Sequence, residues 1–278
     1  MKRESKTALL WKFFSLTFLL TWICWIPAGI LSQKGPHVYV TVLHYAGGIM
    51  PMLSALILLR LRGSHEEIKS YFWRLIDFRR IRGSGYALTL LTIPVLTGIG
   101  VGIDVLLGGQ GAEPEYAATL ANAPLALIPF IFATLVFGPL PEEMAWRGYA
   151  LDRMQEKWSP LGASLILGAA WTLWHLPLFF IEGSYQSGLG VGTTQFWLYM
   201  LDKIPQSIFM TWIFNHNKRS ILTAVLFHLM INFTGEMLDL SLRAETFYTI
   251  GLWASALIVT MIWKLQKPGL ENGTLKPS

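Results

Sequence analysis

The chain has 278 residues, 53% of them hydrophobic and only 14% charged, where soluble domains carry about 25% charged residues. That excludes a string of soluble domains and points to one polytopic membrane unit. The net charge of +5 comes from basic residues in loops that flank apolar runs, an orientation signal rather than the footprint of a nucleic-acid binder, and the single cysteine, Cys24, allows no disulfide within the chain.

Met1 to Lys6 is short and basic, and Ala8 to Leu31 is apolar except for Lys12, which can snorkel to the interface. The run exceeds the roughly 7–15 apolar residues of a signal peptide, so it reads as an uncleaved first span. Val38 to Leu59 is the second span. Arg60 to Arg82 is a basic loop in which Ile68, Tyr71, Phe72, Leu75 and Ile76 recur at helical spacing, which predicts an interfacial amphipathic helix. Tyr86 to Leu107 is the third span, followed by a Gly-rich loop with Glu113 and Glu115. Pro124 to about Lys157 is the fourth, broken at Gly138-Pro139-Leu140-Pro141; Trp158-Ser159-Pro160 is a tight turn; Leu161 to Phe180 is the fifth. Thr194 to Phe214, Ile221 to Leu238 and Phe247 to Trp263 are the sixth, seventh and eighth.

The expected fold is therefore all-α, a polytopic membrane helix bundle of about eight transmembrane helices. Loops on the side of the termini carry most of the Lys and Arg, while the opposite loops carry only Lys34 and Arg243, so both termini are expected to be cytoplasmic. Residues 1–264 read as one integral membrane domain with a catalytic core over 125–238, and 265–278 as a polar, disordered tail.

Chemistry is expected where ionisable groups interrupt this apolar chain, because each costs roughly 3 kcal/mol even on the lenient insertion scale. Glu142, Glu143 and Arg147 stand at the inner end of an uncharged run, just after the break. Pro141 suits the start of a helical segment, whose dipole favours carboxylates in its first turn. Glu143 and Arg147 are four apart and can pair, which leaves Glu142 without a partner. A merely structural ion pair at a helix break is the alternative. His175 in the fifth span supplies the partner: it and Glu142 each lie about 16 residues from Trp158-Ser159, so equal arms of a hairpin bring them to one depth. His228 and Asn232 in the seventh span are also four apart, hence on one face. A carboxylate with a histidine can hold and deprotonate a water, and a histidine with an asparagine can donate to an oxyanion. A polar cavity reaching them from the cytoplasmic side is expected.

Asp202 and Lys203 lie mid-span in the sixth helix, where Asp202 could serve Arg147 or a histidine or mark a local kink. Asp104 and Glu236 fall near outer helix ends, where solvation is cheap.

Glu142-Glu143-x-x-x-Arg147, Trp171-x-x-x-His175 and His228-x-x-x-Asn232 resemble the three motifs of the CAAX protease and bacteriocin-processing family, the type II CAAX prenyl endopeptidases or Abi proteins. Trp171 stands where that family usually has Phe. The resemblance implies an intramembrane endopeptidase in which Glu142 and His175 activate water, His228 and Asn232 form the oxyanion hole, and Glu143 and Arg147 support them or orient substrate. The implied substrate is a membrane-associated protein or peptide, prenylated or not, and the implied location is the cell membrane. No cofactor is expected. The alternative is a zinc-dependent protease with Glu142, His175 and His228 as ligands, since His65-Glu66-Glu67-Ile68-Lys69 lacks the second histidine of a zinc-protease helix. A non-catalytic immunity or transport protein is the reading from another class; the clustering of the polar groups and the lack of an internal repeat weigh against transport.

Overall fold

The computed structural model describes residues 6–35 and 38–265, so the expected tail falls, apart from Leu265, outside them. The long helices are α1 (Lys6–Ser32), α2 (Val38–Arg62), an amphipathic α3 (His65–Ile76) and α4 (Gly83–Leu106). After a short α5 (Glu115–Asn122) the chain enters α6 (Leu127–Phe137), breaks at Gly138, and restarts as α7 (Pro139–Ala145). Residues Trp146–Leu151 then form a wider π-helical turn, and α8 (Asp152–Met154) ends the arm. The return arm is α9 (Pro160–Trp174), extended by a 3-10 turn over Leu176–Phe180. A short α10 (Tyr185–Leu189) precedes α11 (Thr194–His216), α12 (Ile221–Met237) and α13 (Leu242–Leu265).

The boundaries have local causes. Ser64, Ser159, Thr193 and Ser220 each accept from the backbone N–H three residues on, which satisfies a donor that a helix start leaves orphaned. Pro139 sits at the first position of α7, where its missing N–H is harmless. Pro177 cannot donate to the carbonyl of Leu173, and α9 ends three residues before it; the Trp174 carbonyl accepts instead from Nε1 of Trp22 at 3.3 Å.

The protein is an all-α polytopic membrane bundle. Every expected span coincides with helix, and six stretches are long and apolar enough to cross a bilayer: Ala8–Ser32, Val38–Arg62, Gly83–Leu106, Pro124–Met154, Pro160–Phe180 and Leu242–Trp263. α11 carries Asp202 and Lys203, and α12 is apolar but only 17 residues long. α7 packs between α2 and α12, α9 against α11, and α11 against α13, which returns to α4. The broken arm is thus enclosed on several sides. α1 meets α2 closely at Gly47, where a Cβ would come within 2.2 Å of Nε1 of Trp25.

Two features differ from expectation. Asp104 is not a solvated helix-end residue: it is 1% exposed and accepts from the Gly111 N–H and the Ser241 hydroxyl, both at 2.8 Å, and from the Arg243 guanidinium. It ties the end of α4 to the start of α13. Nearby, a two-residue antiparallel pair joins Ala112 to Leu240 and Glu113 to Asp239.

Candidate active site

α7 presents Glu142 and Glu143, which are 7% and 0% exposed. Their environments differ. Both oxygens of Glu143 accept from Nη1 of Arg147, at 2.8 and 3.0 Å, so the expected pair forms, and Arg147 is itself 0% exposed. Nε and Nη2 of Arg147 find no hydrogen-bond partner, and the guanidinium carbon lies 4.9 Å from the Trp171 ring centroid. Such stacking offsets part of the desolvation of a buried cation. Oε1 of Glu143 also lies 2.9 Å from Nδ1 of His228. The expected support residue is therefore the one that holds a histidine.

Glu142 takes its partner from α9. Its Oε2 accepts from Nε1 of Trp171 at 2.6 Å. His175, one turn further along, has Nδ1 2.7 Å from the Trp171 carbonyl. Trp171 stands at the junction of the cluster, with ring centroids 5.7 Å from His175 and 5.1 Å from His228. Among the described residues no hydrogen bond joins Glu142 directly to His175. Gln155 to Trp158 lie in the connection between the two arms rather than in a helix.

These partners assign the imidazole protons. A carbonyl oxygen and an ionised carboxylate only accept. Nδ1 of His175 and Nδ1 of His228 therefore carry the N–H, and in the neutral ring Nε2 is left with a lone pair. His175 suits the role of base or acceptor as it stands. His228 can donate from Nε2 only as the imidazolium.

Asn232, one turn along α12 from His228, reaches the break. A Cβ on Gly138 would come within 2.9 Å of Nδ2 of Asn232 and 3.2 Å of the Thr134 carbonyl oxygen, so glycine is what lets this amide approach. Asp202 serves neither Arg147 nor a histidine; its Oδ2 accepts from the Thr249 hydroxyl of α13 at 3.1 Å. Two groups near the cluster had no role in the sequence reading: Tyr199, whose ring lies 5.7 Å from that of His175, and Lys203, whose Nζ is 3.9 Å from the Tyr199 ring centroid. A lysine in mid-span was the available signal.

α3 braces the segment from below. The Tyr71 hydroxyl donates to the Met144 carbonyl at 2.7 Å, and burial pushes its pKa up, which keeps it a donor. Arg74 donates to the Gly148 carbonyl at 3.1 Å and pairs with Asp152 at 2.5 Å, while Arg153 pairs with Glu67. A cavity of about 490 Å³ lies between α1 and the 3-10 turn that follows His175, lined by apolar groups including Trp22, Trp25, Leu176, Pro177 and Phe180. Among the described residues no three His, Cys, Asp or Glu side chains gather as a metal site.

Residues 124–234 match the family model for type II CAAX prenyl endopeptidases, Rce1-like. The CAAX prenyl protease 2 of Methanococcus maripaludis is 28% identical over 251 residues, which span 89% of this chain and 92% of that protein. The match covers α6 to α12 and hence Glu142, Glu143, Arg147, Trp171, His175 and His228 at their observed positions. The chain is a membrane-embedded protease similar to the Rce1-like type II CAAX prenyl endopeptidases.

Proposed function

We propose that this protease hydrolyses a peptide bond of a membrane-associated, prenylated protein near its C-terminus, using water activated by Glu142 and His175. The observation that carries the reading is the convergence on Trp171, whose indole N–H binds Glu142, whose carbonyl binds His175, and whose ring packs on His228. With Oε2 of Glu142 engaged, Oε1 is the oxygen that takes a proton from water while Nε2 of His175 accepts from the same water. The water oxygen bonds to the carbonyl carbon, His228 as imidazolium and the Asn232 amide donate to the oxyanion, and the C–N bond breaks as the proton passes from Glu142 to the leaving amine. No step is routed through a metal.

The apolar cavity between α1 and the Leu176–Phe180 turn suits a prenyl chain, which favours a lipidated substrate over a soluble peptide. Eight crossings with both termini cytoplasmic, in the plasma membrane, complete the proposal, since the basic loops then face the compartment in which prenylated proteins are made. The test is cleavage of a farnesylated C-a-a-X peptide and its unprenylated twin by reconstituted protein, wild type and Glu142→Gln. Gln retains an acceptor for Trp171 but cannot take the proton, so the variant should fold and lose activity by about 10²-fold or more. Turnover near wild type in Glu142→Gln would remove Glu142 from the chemistry.

A further inference from the structure

Lys203 is a buried cation that the reaction above leaves unused. It is 6% exposed, with Nζ 3.9 Å from the Tyr199 ring centroid and 5.3 Å from that of Trp171. Its sequence neighbour Asp202 accepts from Thr249, and among the described residues Lys203 forms no ion pair and no hydrogen bond within contact distance, although the Asp202 and Glu142 charges both act on it. Nζ is nonetheless not sealed off, in contrast to Nε and Nη2 of Arg147. Its charge reaches Glu142 and His175. A buried ammonium held over two aromatic faces, with its charge near Glu142, can receive an anion.

The anion that a proteolytic substrate brings is its own α-carboxylate. An extended chain advances about 3.3–3.6 Å per residue, and Lys203 lies on the same ring whose N–H holds Glu142. A C-terminal stub of one to three residues spans that gap; a long one overshoots it. We infer that Lys203 binds the free C-terminal carboxylate of the substrate and so selects bonds a few residues from a chain end. The inference rests on the protease reading above and names what sets its cleavage position.

The experiment compares farnesylated C-a-a-X peptides that end in a free carboxylate, in an amide, or in a five-residue extension, on wild type, Lys203→Met and Lys203→Arg. Loss of a charge-assisted contact predicts that amidation lowers wild-type kcat/KM by about 10- to 100-fold. Lys203→Met should cleave the free acid as slowly as wild type cleaves the amide, with no further loss on amidation, and Lys203→Arg should recover part of the discrimination. A lysine that only supports the fold would slow all peptides alike and leave the amide penalty intact, which overturns the inference. A second measurement needs wild type alone: the free a-a-X tripeptide should inhibit at least about tenfold more strongly than its amide, and equal inhibition also overturns it. Failure of wild type to cleave any of the peptides is a different result and strikes the protease reading itself.

Discussion

Glu143→Gln isolates the buried pair at the centre of the site. Glu143 and Arg147 are both 0% exposed, and Nε and Nη2 of Arg147 lack partners, so among the described residues Glu143 provides the only hydrogen bonds of this guanidinium. Removing one member of a buried pair strands the other charge, at about 3–5 kcal/mol, a large part of the roughly 5–15 kcal/mol that holds a typical domain together. Glu143→Gln should therefore lower thermal stability in detergent sharply and reduce folded yield. The double variant Glu143→Gln/Arg147→Met removes both charges and should recover most of that loss, because an apolar isostere of a buried pair is often neutral or better. It should not recover activity, since Nδ1 of His228 has lost the carboxylate that holds the ring in place. Melting temperature and peptide cleavage measured on wild type, Glu143→Gln, Arg147→Met and the double variant form a cycle. Melting of Glu143→Gln within about 1 kcal/mol of wild type, or a double variant no more stable than the single, refutes the account of a costly buried pair.

Metal content and the α3 brace can be checked separately. Elemental analysis of active enzyme should find no stoichiometric zinc, and chelators should leave cleavage unchanged; one zinc per chain with activity restored by zinc would replace the water mechanism with a metalloprotease. Tyr71→Phe leaves the Met144 carbonyl without its donor and should cost about 1–3 kcal/mol, with kcat falling more than KM rises because α7 is displaced while the apolar cavity is untouched.

Much of the site was legible because the relevant relations are local. The four-residue spacing of Glu143 and Arg147 predicts their pair, and Gly138 to Pro141 predict the break. What failed depended on distant chain. Asp104 reads as an exposed helix-end carboxylate until Ser241 and Arg243 return more than 130 residues later to bury it. Asp202 and Lys203 are adjacent in sequence yet face α13 and Trp171 respectively, a division that an apolar helix packed on two sides imposes and no spacing rule reveals. Nothing in Trp146–Leu151 marks a π-helical turn in advance.

That turn makes chain length, rather than any side chain, a fixed quantity here. A π-helical turn holds one residue more than the α-helix it replaces, and it lies between two anchored ends: Glu142 and Glu143 engaged with α9 and α12, and Asp152 and Arg153 engaged with α3. Deleting one residue between them restores ordinary winding but swings one end about 100° around the axis relative to the other. The carboxylates and the α3 clamp cannot then both be met. The segment thus tolerates exchange of residues far better than a change in their number, and the extra residue works as a phase shifter that aims the carboxylates inward while the arm stays seated on its amphipathic support.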